Sequence, residues 1–175
     1  MKKFILIVIA TVFTASLAAC NTASPADDVI RIHIRANSNS AEDQAVKTEV
    51  VKEVTDYLTP VLAECDSKAE AIEAIKSNLR EIERTADNKL AECGKTYAST
   101  AKAVREEFPA RQYGGYVFDR GEYDALIIEL GSGEGDNWWC VAFPPLCFVP
   151  SGDGENFRYK SKIVEIIEKF FKEER

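Results

Sequence analysis

The chain has 175 residues, 46% of them hydrophobic, with 22 Lys+Arg against 29 Asp+Glu and a formal net charge of −7. That length fits one ordinary domain with a single core and disfavours a multidomain assembly. The acidic balance excludes the clustered Lys and Arg that a nucleic-acid binder needs, and anionic lipid surfaces would repel it.

Met1-Lys2-Lys3 is a short basic start, and Phe4 to Ala19 follows without a charge over sixteen residues. A spanning helix needs roughly 20 apolar residues, so this segment reads as an export signal. Leu17-Ala18-Ala19-Cys20 has the pattern of a bacterial lipobox. Residues 1–20 are therefore expected to be a signal peptide with Cys20 as the lipid attachment point; plain cleavage and a retained short anchor are the alternatives. The several acyl chains of a lipoprotein hold it to a membrane where one chain alone does not. Residues 21–28, small and polar with Pro25, read as a tether, and 29–175 as one exported domain. Without the first twenty residues the balance is 20 basic to 29 acidic groups, a net −9.

Ile30 to Arg35 alternates strictly, which predicts a half-buried strand with Arg31, His33 and Arg35 pointing outward. Ser38-Asn39-Ser40 supplies turn and N-cap chemistry, followed by a helix whose apolar face is Val46, Val50, Val54, Tyr57, Leu58 and Val61. Pro60 should kink or restart it. Ser67 and Glu70 form a capping box opening a second helix of about 25 residues, with Ile72, Ile75, Leu79, Ile82, Ala86 and Leu90 inward and Gly94 as the stop. The period then changes to two. Strands are expected over 95–106, 116–118 and 122–130, with Asp119-Arg120-Gly121 as a tight connection in an antiparallel meander, and again over 137–143 until Pro144-Pro145. A last amphipathic helix is expected over 159–172, with Ile163, Ile166, Ile167, Phe170 and Phe171 as its stripe. The predicted class is α+β: a mostly antiparallel sheet with an N-terminal strand, a two-helix insertion packed on one face, and a C-terminal amphipathic helix.

Four cysteines remain after Cys20, an even number in an oxidising compartment. Cys140 and Cys147 have Pro144-Pro145 between them, so a turn can bring them together as a disulfide. Cys65 and Cys93 flank a predicted helix about 37 Å long at 1.5 Å per residue, well beyond the roughly 7 Å that a bridge allows. His33, the single histidine, reads as an exposed strand residue; pairing it with Cys140 as a catalytic dyad is the sharper alternative. No H-E-x-x-H and no C-x-x-C occurs, so no metal or other cofactor is expected. Gly131-Ser132-Gly133-Glu134-Gly135 follows a strand but leads into Trp138-Trp139 rather than a helix, so it reads as a flexible hairpin loop and not a phosphate cradle. Glu106-Glu107 reads as a solvated pair rather than an acid/base dyad. Trp138 and Trp139 must point to opposite faces of their strand; either both are covered within the fold or one stands exposed as a contact anchor.

Three blocks carry a resemblance. The first is Ile30-Arg31-Ile32-His33-Ile34-Arg35-Ala36-Asn37-Ser38-Asn39-Ser40 with Glu42-Asp43-Gln44. The second is Phe108-Pro109-Ala110-Arg111-Gln112-Tyr113-Gly114 with Gly121-Glu122-Tyr123-Asp124-Ala125-Leu126. The third is Gly135-Asp136-Asn137-Trp138-Trp139-Cys140-Val141, running on through Phe143-Pro144-Pro145-Leu146-Cys147-Phe148. Together, over about residues 29–148, they resemble the stage II sporulation protein R family; the lipobox-like start departs from it. The resemblance implies an endospore-forming bacterium and a protein made in the forespore and exported into the space between the septal membranes. There it would activate a membrane-embedded aspartic protease of the mother cell, which processes the sigma-E precursor. It would be a signal rather than an enzyme, with no small-molecule substrate. Trp138 or Trp139, with Arg111 and Tyr113 in the preceding turn, are the expected partner contacts, because aromatic and Arg residues beside loops make strong anchors. Two rival readings are a secreted cysteine-dependent hydrolase using Cys140 or Cys147 with His33, and a structural envelope lipoprotein.

Overall fold

The computed structural model describes residues 28–113 and 116–146. The export segment with Cys20, Cys147 and the helix expected over 159–172 lie outside the described residues. The chain order is β1 (Ile30–Arg35), α1 (Ala41–Ala63), α2 (Lys68–Ser77), α3 (Leu79–Glu92), β2 (Ser99–Phe108), β3 (Arg111–Tyr113), β4 (Tyr116–Phe118), β5 (Gly121–Leu130) and β6 (Asn137–Phe143). The α+β class holds. No helix among the described residues is long and apolar enough to cross a membrane.

Local sequence chemistry sets the helix ends. Ser40 Oγ accepts from the Asp43 amide at 3.1 Å and starts α1, with Glu42 and Asp43 in its first turn. Ser67 Oγ accepts from the Glu70 amide at 3.3 Å, and the Glu70 carboxylate accepts from the Asp66 amide at 2.9 Å. At the far end Gly94 takes φ +74°, and the Lys95 amide reaches back to the Leu90 carbonyl at 2.9 Å. Two expectations change between these points. Helix α1 does not restart at Pro60 but continues to Ala63; the ring removes a single backbone donor, and the buried Leu58, Leu62 and Ala63 on either side anchor the last turn in the core. The single long helix is broken at Asn78, whose Nδ2 donates to the Ala74 carbonyl at 2.8 Å and whose Oδ1 accepts from the Tyr57 hydroxyl at 2.6 Å. An Asn side chain that bonds nearby backbone competes with the helix it sits in.

The sheet order is β2-β5-β1-β6, with β1 parallel to β5 and antiparallel to β6, and β2 antiparallel to β5. This corrects the expected meander: β4 pairs with β3 in a separate two-stranded flap, not with β5. It also corrects the loop reading, since β5 and β6 are not neighbours and residues 131–136 cross the end of β1 instead of closing a hairpin.

Strand β1 is central, so both of its faces are covered. Ile30, Ile32 and Ile34 join Leu126, Ile128, Leu130, Cys140 and Ala142 under the helices, against Val46, Val50, Val54, Leu58, Ile75, Ile82 and Leu90. The opposite face carries a second, aromatic layer of Phe108, Phe118 and Tyr123 with Ile127 and Val141, flanked by Tyr113 and Trp139. Arg31 and His33 project into that layer and are fully buried, not outward as their polarity predicted. Their cover comes from β2, β4, β5 and β6, far along the chain.

Candidate functional site

Two polar or aromatic clusters stand out, one at each end of the sheet's central pair. At the carboxyl ends of β1 and β5, the Asp43 carboxylate is buried and accepts from Ser38 Oγ at 2.6 Å, Asn37 Nδ2 at 2.9 Å and the Tyr97 hydroxyl at 2.9 Å. Lys95 Nζ pairs with it at 3.0 Å. The hydrogen bonds from Ser38, Asn37 and Lys95 hold its carboxyl well below the usual range. Burial and the bond to Asp43 push the Tyr97 hydroxyl up to about 12. The loop after β5 docks onto the same residues. Asn37 Oδ1 accepts from the Ser132 amide at 3.0 Å, Asn39 Oδ1 from the Asp136 amide at 2.6 Å, and the Ala36 carbonyl from the Gly135 amide at 2.8 Å. The close approach at Gly135 needs glycine, since a Cβ there would collide with the Ser38 carbonyl. With its amides engaged in this way, the loop is a structural clasp and offers no anion cradle.

Three of the four residues singled out as candidate contacts lie at the aromatic layer. Trp139 is half-buried and tilts against His33, ring centres 4.7 Å apart, and meets Phe108 edge-on at 5.1 Å. The exposed Arg111 sets its guanidinium 5.8 Å from the Trp139 ring centre. The Tyr113 hydroxyl accepts from Arg31 Nη2 at 3.3 Å. Arg111, Tyr113 and Trp139 thus come together, while Trp138 lies on the other face, half-buried against the helix-side core. The opposite pointing of the two tryptophans is as expected.

The same alternation separates Cys140 from His33. In the β1–β6 register Cys140 stands opposite Ile32 and His33 opposite Trp139, so the cysteine faces the helices and the histidine the aromatic layer. Cys140 is buried and disulfide-bonded, and cannot serve as a nucleophile beside His33. Neither Cys65 nor Cys93 takes part in a disulfide, as expected, although the single long helix on which that expectation rested is broken at Asn78. Burial, with Arg35 and Lys102 nearby, lowers His33 to about 3, so its ring is neutral near pH 7. No group of three or more His, Cys, Asp or Glu among the described residues is placed to hold a metal ion.

Sequence reasoning missed Arg31 as a member of this layer. Its guanidinium carbon lies 4.8 Å from the ring centre of Phe108, 5.0 Å from Tyr123, 5.5 Å from Phe118 and 5.7 Å from Tyr113. The available signal was the set of aromatics on β2, β4 and β5, which had no place in a core built from one sheet face.

The three sequence blocks meet in space: the first and third form the clasp, and all three contribute to the aromatic layer. The family model described as stage II sporulation protein R matches residues 26–153, which include every element above. Stage II sporulation protein R of Bacillus subtilis (strain 168) is 39% identical over 129 residues, covering 74% of this chain and 58% of that relative. The chain therefore aligns with little more than half of that relative's length. No solved structure matches. With most of its length matched, the chain belongs to the stage II sporulation protein R family.

Proposed function

We propose that the chain is a sporulation signal, exported from the forespore into the septal intermembrane space, that activates a membrane-embedded aspartic protease of the mother cell and so brings about processing of the sigma-E precursor. Family membership supports the sporulation role, and the resemblance of the three blocks motivates the rest. The observation that carries a binding role is the cluster at the flap. An exposed arginine stacked on a half-buried indole, beside Val117 at 66% exposure, is the composition of a protein-contact anchor. Activation by binding requires that the partner's active arrangement bind this surface more tightly than its resting one. Cys20 is the proposed membrane attachment and Cys147 the proposed disulfide partner of Cys140.

Deleting the gene from a spore-forming host tests the reading. Sigma-E precursor should then accumulate unprocessed during sporulation, and a restored copy should return processing. Normal precursor maturation in the deletion strain would contradict it.

A further inference from the structure

Arg31 is a fully buried cation with no anion beside it among the described residues. Its Nε donates to the Cys140 carbonyl and its Nη2 to the Tyr113 hydroxyl, each at 3.3 Å; the Tyr123 hydroxyl also lies close to the guanidinium, and Nη1 makes no well-formed hydrogen bond among the described residues. Among the described residues no carboxylate forms an ion pair with it. Four aromatic rings surround the guanidinium, and cation–π contacts offset part of the desolvation, but an unneutralised buried charge remains expensive. Such a group is poised for a carboxylate, the anion its planar fork fits best.

The cover over Arg31 is slight. Tyr113 and Phe118 belong to the β3–β4 flap, two strands of three residues each that form no ladder with the main sheet. A two-stranded ribbon of that size is marginal without side-chain packing. At its root lies an open depression of about 360 Å³ lined by Glu107, Phe108, Pro109, Ala110 and Arg120. Phe108 contributes to its floor, and the buried Phe108 ring lies against Arg31 on the inner side. The Glu107 carboxylate accepts from Arg120 Nε at 2.6 Å on its rim. The depression opens at the edge strand β2. Farther along that edge the Ser99 and Ala101 amides are capped by the Asp87 and Glu83 carboxylates at 2.6 and 2.8 Å. At the flap end, no such cap occurs among the described residues.

We propose that Arg31 is a carboxylate-binding site covered by the β3–β4 flap, and that its ligand is an aspartate or glutamate side chain of a protein partner, admitted at the flap root when the flap lifts. The exposed Arg111, Arg120 and Val117 around the flap suit a polypeptide rather than a small acid. That this partner is the protease rests on the function proposed above; the carboxylate site itself does not.

Two measurements test it. First, phenylglyoxal, an arginine reagent, is applied to the folded wild-type protein with N-acetyl-glutamate α-amide or its glutamine counterpart present. Arg31 should be modified at a measurable rate, slower than Arg111 and Arg120, and the acid but not the amide should slow it. An Arg31 that reacts only on unfolding, or is protected equally by both, overturns the site. Second, Arg31→Met keeps the volume and removes the charge. In cells making protease and precursor it should lower processing about 30-fold or more, the loss expected for one partner of a buried charge pair. Full processing with Arg31→Met overturns the role in signalling. If wild type itself yields no processing, the function proposed above fails while the reagent experiment still decides the site. If Arg31→Met does not fold, the wild-type protection result decides it alone.

Discussion

His33 lies between the Phe108 and Trp139 rings with neither ring nitrogen hydrogen-bonded, and Glu106 is no nearer than 3.7 Å. Its folded value of about 3 is below the ordinary 6.5, so the unfolded chain takes up the proton first as pH falls. The stability this neutral ring contributes is complete above pH 6.5 and is lost progressively from there down to about 3. Urea unfolding at pH 5 should therefore show about 2 kcal/mol less stability than at pH 7 from this residue. A His33→Leu variant should lose that difference; an unchanged pH dependence would contradict the assignment. Asp43 makes the opposite case, a carboxyl held low by its donors. Removing it in Asp43→Ala takes the acceptor from Tyr97, Asn37 and Ser38 and leaves Lys95 with Glu42 alone, and should reduce stability by about 3 kcal/mol in the same assay. At this scale the sequence was legible where chemistry is local, as in the Ser40 cap. It misled for Arg31 and His33, because alternation shows that two faces differ but not whether a distant aromatic layer covers the polar one.

Elements divide in the same way. The caps at Ser40 and Ser67 and the stop at Gly94 need only neighbours within a turn, and all three stand where expected. The break at Asn78 depends on Tyr57 from another helix, which periodicity does not see. Strand order was the larger miss. A parallel β1–β5 pair, closed across the whole helical insertion, leaves no short-range trace, and β3 and β4, at three residues each, are too short for periodicity to reveal that they pair with each other. The clasp loop follows from that order, since leaving β5 for β6 means crossing β1. Gly135→Ala should force this crossing apart and lower the Tm by about 5 °C or more, because the backbone carbonyl of Ser38 cannot yield as a side chain would. A Tm within a degree of wild type would show that the loop has room.

For the whole molecule, the acidic charge narrowed the field and the ordered blocks identified the family. The fold explains why those blocks matter together: they meet at the clasp and around Arg31. Candidate contacts were legible as residue types, and three of the four, Arg111, Tyr113 and Trp139, come together; Trp138 does not, because one residue of offset on a strand moves a side chain to the opposite face. The proposed function, that this chain switches on a membrane-embedded protease by binding it, is open to a direct test: the chain, the protease and the sigma-E precursor are made together in a host that does not sporulate. Processing should appear only when the chain is present, and Arg111→Ala, an exposed change that leaves the fold intact, should reduce it about tenfold or more. Processing that proceeds equally without the chain, or never occurs with it, would contradict the account.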